Sequence, residues 1–277
     1  MREHYAWLGT AYVPEDIPLY YDAVNEHGLA MAALNFPQYA QYCRESERML
    51  APFEVIPYVL GCCKTVKEAC ACLRSLPIAA VAYSEDLPIT PLHWCLADRD
   101  ACVAVEPLAS GVAITDNPIG VLTNSPPLDY HLANLAAFTS VTPHTPPATF
   151  GGIDAALYSR GMGTVGLPGG YSSAQRFVRA AFGKVHAVCD NSEEQSVMQM
   201  FHLLDSVAMP RGSVIMPDGR FEITVYSCCA NLRTGAYYYK TYNGSRIRAV
   251  DLHMNDVNGR SLYRYPMRDV FDVEVVC

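Results

Sequence analysis

The sequence predicts an α+β fold in which β-sheets are sandwiched between helical layers, on three observations. Strand-like and helix-like segments come in blocks: strands, two helices, strands, two long helices, then strands again. The 277 residues are 51% hydrophobic and 17% charged, which suits one sizeable core and a single domain over residues 1–277. No stretch reaches the roughly 18 uninterrupted apolar residues of a membrane span, and neither an internal repeat nor a low-complexity segment breaks the pattern.

The elements follow in order. Tyr5 to Tyr12 is apolar and rich in strand formers, so it reads as a buried strand. Tyr20 to Val24 and Leu29 to Leu34 flank Asn25-Glu26-His27-Gly28, the pattern of two strands joined by a tight turn with glycine where φ must be positive. Residues 51–62 form an apolar helix. The next helix opens on the capping box Thr65-Val66-Lys67-Glu68, whose hydroxyl and carboxylate satisfy orphan amides. Residues 78–83, 92–97, 101–106 and 111–115 alternate with turns as a β-meander, and Leu128 to Phe138 reads as helix.

Pro143, Pro146, Pro147 and Gly151-Gly152 mark a loop within the domain. Two long helices follow, Ser172 to Val188 and Ser192 to Val207. In the second, Val197, Met200, Phe201, Leu204 and Val207 recur at helical spacing as one apolar face. Strands return at 221–229 and 235–242, around the turn Asn231 to Gly235, and at Ile247 to His253.

Charge and cysteine usage narrow the function classes. A net charge of −8 and a pI near 5.4 argue against nucleic acid as a partner. The opening Met1-Arg2-Glu3-His4 has no apolar segment behind a basic one, so no secretory signal is expected. Eleven cysteines invite a metal or disulfide reading, but their spacing opposes it. Cys62-Cys63 and Cys228-Cys229 are vicinal, Cys70-Ala71-Cys72 is C-x-C, and no CxxC occurs for a zinc knuckle. Most sit in apolar surroundings, so buried thiols acting as small hydrophobes in a reducing cytoplasm are expected. No metal, no cofactor and no membrane partner are expected.

Chemistry-bearing motifs are few. No G-x-S-x-G elbow, P-loop or HExxH is present. Gly161, Gly163 and Gly166 fit a dinucleotide glycine motif loosely, but Leu167-Pro168-Gly169-Gly170 follows where a helix should open, so a turn shaping a pocket wall is the better reading. Asn35, before Phe36-Pro37 at a strand end, and Asn124, before Ser125-Pro126, each sit in a tight polar setting between apolar runs. Each could cap its own turn, or aim an amide at a developing oxyanion. Arg176 and Arg179 interrupt an apolar helical stretch, so their guanidinium groups must be exposed or paired.

The block Ser159-Arg160-Gly161-Met162-Gly163-Thr164-Val165-Gly166-Leu167-Pro168-Gly169-Gly170-Tyr171, continuing to Phe182, closely resembles the choloylglycine hydrolases, which include the bile salt hydrolases. The segment Asn25-Glu26-His27-Gly28-Leu29-Ala30-Met31-Ala32-Ala33-Leu34-Asn35-Phe36-Pro37 resembles them too, and the similarity covers nearly the whole chain. The resemblance implies the αββα sandwich of an N-terminal nucleophile hydrolase, here missing its first strands. In such enzymes a leading cysteine attacks an amide carbonyl and its own α-amino group is the base. By resemblance, the Asn35 backbone N–H and the Asn124 side-chain amide form the oxyanion hole. Arg176 is the active-site arginine, with Arg179 the second choice.

Leu-Asn-Phe-Pro at Asn35 is closer to the bile salt branch than to the penicillin V acylase branch, which usually carries Tyr there. The implied substrates are glycine- or taurine-conjugated bile salts, with a sterol pocket drawn from the loops near Phe36, Tyr39 and Phe138 and from Leu128 and Tyr130, in a homo-oligomer. The sequence opens Met1-Arg2, and its first cysteine is Cys43. An N-terminally truncated chain, an unpaired sheet edge and no hydrolysis by the 277 residues alone are therefore expected. A penicillin V acylase and a non-catalytic bile-acid-binding relative are the alternatives.

Overall fold

The computed structural model describes residues 3–44 and 49–276. Met1 and Arg2, on which the expectation about the start of the chain turns, lie outside the described residues. Among the described residues, eleven strands and five α-helices follow one another as β1 (Trp7–Tyr12), β2 (Leu19–Asn25), β3 (Ala30–Asn35), α1 (Val55–Cys62), α2 (Val66–Ser75), β4 (Leu92–Ala97), β5 (Cys102–Leu108) and β6 (Gly111–Asp116). Then come α3 (Leu128–Asn134), a small hairpin of β7 (Thr149–Phe150) and β8 (Ile153–Asp154), α4 (Ser173–Val185), α5 (Glu193–Asp205), β9 (Tyr226–Ala230), β10 (Ala236–Thr241) and β11 (Arg248–Asp251).

The first six strands form one antiparallel sheet in sequence order, β1 to β6, and a second sheet runs β11-β10-β9. Short connections join these neighbours, as antiparallel pairing allows, except between β3 and β4, where α1 and α2 intervene. The turn between β2 and β3 is the one the sequence predicts, with Gly28 at φ +79°. Asn25 holds it: the buried side chain accepts from the amides of His27 and Leu29, both at 3.0 Å, and donates to the carbonyls of Leu60 and Cys63 at 2.9 and 2.8 Å. One residue thus fixes the hairpin and anchors it to the end of α1.

One face of the larger sheet packs on α1 and α2. Leu29, Met31, Trp94, Leu96, Val103 and Val105 meet Ile56, Val59, Leu60, Ala69 and Leu73 in the main apolar core. On the other face, Thr10 and Asp22 reach the smaller sheet, where Tyr226 and Tyr237 donate hydroxyl hydrogen bonds to Asp22. α5 covers the smaller sheet: Tyr238 donates to Glu193 at 2.8 Å and Lys240 pairs with Asp205 at 2.6 Å. α4 lies beside it and seats Phe177 and Ala181 against Ala104 and Leu128. The layers run helix, sheet, sheet, helix, the αββα order that the resemblance implies.

Several expectations need correction. Residues 78–83 are not a strand. Ile78 and Ala79 make only single parallel bridges, to Leu50 and Cys43, away from the sheet. The strand expected at 221–229 begins at Tyr226, because Phe221 bridges to Ile215 and Glu222 donates to Val214, folding that half back on itself. The helix expected to reach Phe138 tightens to 3-10 over Leu135–Phe138.

On α5, Phe201 is buried but Met200 is exposed, so the apolar face is narrower than its spacing suggests. The cysteines are also less buried than expected. Cys63 and Cys70 are in the core, whereas Cys43 and Cys189 lie exposed in loops and Cys62 is exposed in the last turn of α1.

Candidate active site

The end of β3 is pinned by Phe36. Its amide donates to Pro91 at 2.7 Å, and its buried ring stacks on His93 with centroids 4.2 Å apart and planes 4° from parallel. That anchor leaves Asn35 at an exposed strand end. Two hydrogen bonds hook this end to the 124–125 loop: Asn124 Nδ2 donates to the Asn35 carbonyl at 2.8 Å, and Ser125 Oγ to the Pro37 carbonyl at 2.7 Å. From α4, Arg176 Nη2 donates to Asn124 Oδ1 at 2.6 Å while its Nε holds the Tyr171 carbonyl at 2.9 Å. Asn35, Asn124 and Arg176, far apart in sequence, therefore form one continuous hydrogen-bonded chain.

This arrangement has a chemical direction. A guanidinium drawing on Oδ1 polarises the Asn124 amide and makes Nδ2–H a better donor, as linked hydrogen bonds do in a low-dielectric setting. One Nδ2 hydrogen serves the Asn35 carbonyl, and the second has no partner among the described residues. Burial is the largest influence on the Arg176 guanidinium and lowers its pKa, against Glu222, which raises it. Arg179 does a different job. It donates to the carbonyls of Pro168, Gly170 and Ser206 and so ties the glycine-rich loop to the end of α5.

A layer of residues that sequence reasoning missed sets the position of Asn124. Ser173, the first residue of α4, donates to the Asn124 carbonyl at 2.8 Å and accepts from its amide at 2.9 Å. His131 Nε2 reaches the same carbonyl at 3.0 Å, with its ring stacked on Phe177. Burial pushes the His131 imidazole below its ordinary value of 6.5, which favours a neutral ring donating through Nε2. Behind it, the fully buried His93 bridges Glu106 Oε1, at 3.2 Å, and the Thr123 carbonyl, at 2.8 Å. Glu106 also accepts from the Leu128 amide at 3.0 Å. The sequence did carry a signal: a histidine and a glutamate stand inside otherwise apolar strands, where only mutual pairing makes burial tolerable.

Asn35 borders a cavity of about 370 Å³, within the usual size range of a small-molecule site. Its walls are mainly aromatic and aliphatic, including Tyr12, Tyr21, Phe53, Tyr83, Leu87 and Ile89. Phe36 and Leu128 are wholly interior, and none of Phe36, Tyr39, Leu128, Tyr130 and Phe138 lines this cavity. A larger cavity, about 660 Å³, lies by Gly169, Tyr171, Arg179 and Tyr226, but it touches none of Asn35, Asn124 and Arg176. Gly169 thus lines a pocket wall, and Gly161 sits at φ +75° before a 3-10 turn rather than opening a phosphate-binding helix. Among the described residues no cluster of three His, Cys, Asp or Glu side chains is arranged to hold a metal, and no helix is long and apolar enough to cross a membrane.

The layer order and the amide-lined strand end define a class, the N-terminal nucleophile hydrolase fold. The crystal structure of a variant conjugated bile acid hydrolase from Clostridium perfringens matches with a TM-score of 0.92 at 33% identity, covering 98% of this chain and 84% of that one. Penicillin V acylase from Agrobacterium tumefaciens shares the fold, with a TM-score of 0.67 at 23% identity over 86% of this chain and 68% of that one. In sequence, a bile salt hydrolase/transferase from Lactiplantibacillus plantarum is 42% identical over 271 residues, 97% of this chain and 84% of the relative. The linear amide C–N hydrolases of the choloylglycine hydrolase family match over residues 1–265, and the chain belongs to that family.

Proposed function

We propose that the site serves hydrolysis of the amide bond of glycine- or taurine-conjugated bile salts. The observation that carries this reading is the hydrogen-bonded chain of Asn35, Asn124 and Arg176, whose end at Asn35 borders an apolar cavity. A bile acid is a broad apolar body with an anionic amide-linked tail, and such a cavity with a few polar groups at one end suits it. Attack of a thiolate on the amide carbonyl turns that oxygen into an oxyanion. The Asn124 Nδ2–H and the Asn35 backbone N–H would stabilise it, each by about 3 kcal/mol. Collapse of the tetrahedral species breaks the C–N bond, and the departing glycine or taurine takes the proton from the base.

No described cysteine hydrogen bonds to Asn35, Asn124 or Arg176. In this reading the 277 residues supply the cavity and the oxyanion donors, and release of amine needs a cysteine-led segment joined ahead of them. The protein acts as a single domain, in a homo-oligomer, in the cytoplasm and without a cofactor. Penicillin V is the competing substrate, supported by the shared fold alone.

The test is amine release from glycocholate and taurocholate, beside phenoxyacetate release from penicillin V, by the chain alone and by the chain carrying such a segment. Bile salt cleavage by the longer form only is the expected result. Cleavage by the 277 residues alone would show that another group attacks, and a preference for penicillin V would move the assignment to the sibling activity.

A further inference from the structure

On the face of the larger sheet turned toward α4, two thiols stand together on neighbouring strands. Cys95 of β4 and Cys102 of β5 have their sulfurs 3.6 Å apart, and both are half-buried. The register pairs Cys95 with Ala104 and Ala97 with Cys102, so the two cysteines are diagonal neighbours rather than directly opposite. They share this face with His93 and Glu106, two residues back along β4 and four residues on along β5. Ala104, between Cys102 and Glu106, packs against Ala181 of α4.

We propose that Cys95 and Cys102 form a reversible dithiol–disulfide site that reacts with hydroperoxides. This inference does not rest on the amidase reading. Cys102 is the attacking sulfur. Its thiol is pulled below the ordinary cysteine range, first by the hydrogen bond with Cys95 and also by the Lys184 ammonium. Cys95, its partner in that bond, is held well above it by the same contact and by burial. A low-pKa, accessible thiol beside a second thiol is the arrangement that oxidation favours.

The Cys102 thiolate attacks one oxygen of the peroxide and the O–O bond breaks. The leaving oxygen takes up the proton released when the Cys102 thiol ionised and departs as water, or as an alcohol from an alkyl hydroperoxide, and Cys102 becomes a sulfenic acid. The Cys95 sulfur then attacks the Cys102 sulfur, the S–O bond breaks, and the Cys95 proton leaves with the hydroxyl as water. Two thiols are oxidised by two electrons in all, and the peroxide takes them up. The sulfurs close from 3.6 Å to about 2.05 Å as the disulfide forms, and a thiol reductant returns both to thiols.

The test is peptide mapping of the full 277-residue chain after brief treatment with hydrogen peroxide and alkylation of the remaining thiols. Arg99 lies between the two cysteines, so trypsin separates their peptides unless a disulfide joins them. The expected result is a joined Cys95–Cys102 peptide pair that dithiothreitol separates. Cys95→Ser should abolish the pair and increase dimedone capture of Cys102 severalfold, and Cys102→Ser should leave Cys95 reduced. Full alkylation of both thiols in the treated wild-type chain would overturn the proposal. So would disulfides found only among other cysteines, or dimedone capture at Cys95 in place of Cys102.

Discussion

The two sheets are held by different forces. The larger sheet lies on α1 and α2 through a continuous apolar core running from Ala23 to Val105, with Trp94, Leu29 and Leu60 fully excluded from water. The smaller sheet buries Tyr237 and Tyr239, and polar contacts tie it to its neighbours: Tyr226 and Tyr237 to Asp22, Tyr238 to Glu193, Lys240 to Asp205, and Arg248 to Asp272. The candidate site draws only on the first of these regions and the helices beside it, since Asn35, Asn124 and Arg176 all precede β9. Among the described residues, the apolar contacts of the core hold no carboxyl or imidazole group, whereas the polar seam between the sheets is built on a carboxyl group, that of Asp22.

The comparison can be broken most forcefully in the core. Trp94→Ala should cost about 3–5 kcal/mol, as large-to-small aromatic substitutions do, read as a lower urea midpoint with an unchanged slope. Asn124→Ala addresses the site. In the cysteine-bearing form, kcat should fall by about 10²–10³-fold while the urea midpoint moves little. Tyr237→Phe addresses the seam and should cost about 1–3 kcal/mol, because it removes a donor to a carboxyl group that burial shields from water. Lys240→Ala, at the partly exposed pair with Asp205, should change stability by no more than about 1 kcal/mol.

Acidity separates the two regions by sign. Burial depresses His131, so below its ordinary value of 6.5 the unfolded chain takes up a proton that the folded chain resists. Its contribution to stability is present above that pH and is lost as pH falls. Burial raises Asp22, outweighing the tyrosine hydrogen bonds. Its stabilising contribution is complete below its ordinary value of 3.8 and is lost as pH rises through its raised folded pKa. Urea midpoints measured from below the ordinary Asp22 value of 3.8 to above the ordinary His131 value of 6.5 should lose their acid-side decline in His131→Phe. In Asp22→Asn they should lose the opposing trend. If each substitution left its slope intact, the assignment of these groups would fail.

The sequence carried much of this where local chemistry decides structure. Gly28 announced the β2–β3 turn and Thr65 and Glu68 the start of α2, because each acts on its own backbone, whereas the capping roles of Ser172 and Ser192 emerge only in the structure. The glycine-rich block around Gly161 to Gly170 leads into the helix that carries Arg176. Packing across long separations was not legible. The cavity wall comes from Tyr12, Phe53, Tyr83 and Leu87, which no local pattern groups together, while Phe36 turned inward to anchor its strand. His93 and Glu106 look like misplaced polar residues until the β4–β5 pairing puts them side by side.

The most direct test of the central claim is calorimetric titration of glycocholate into the 277-residue chain and into Leu87→Arg, which places a charged side chain in the wall of the cavity that Asn35 borders. The account predicts saturable binding to the wild-type chain and a loss of roughly tenfold or more in the variant, about 1.4 kcal/mol, with both chains unfolding at the same urea concentration. Equal affinity in the two chains, or no binding to either, would contradict it.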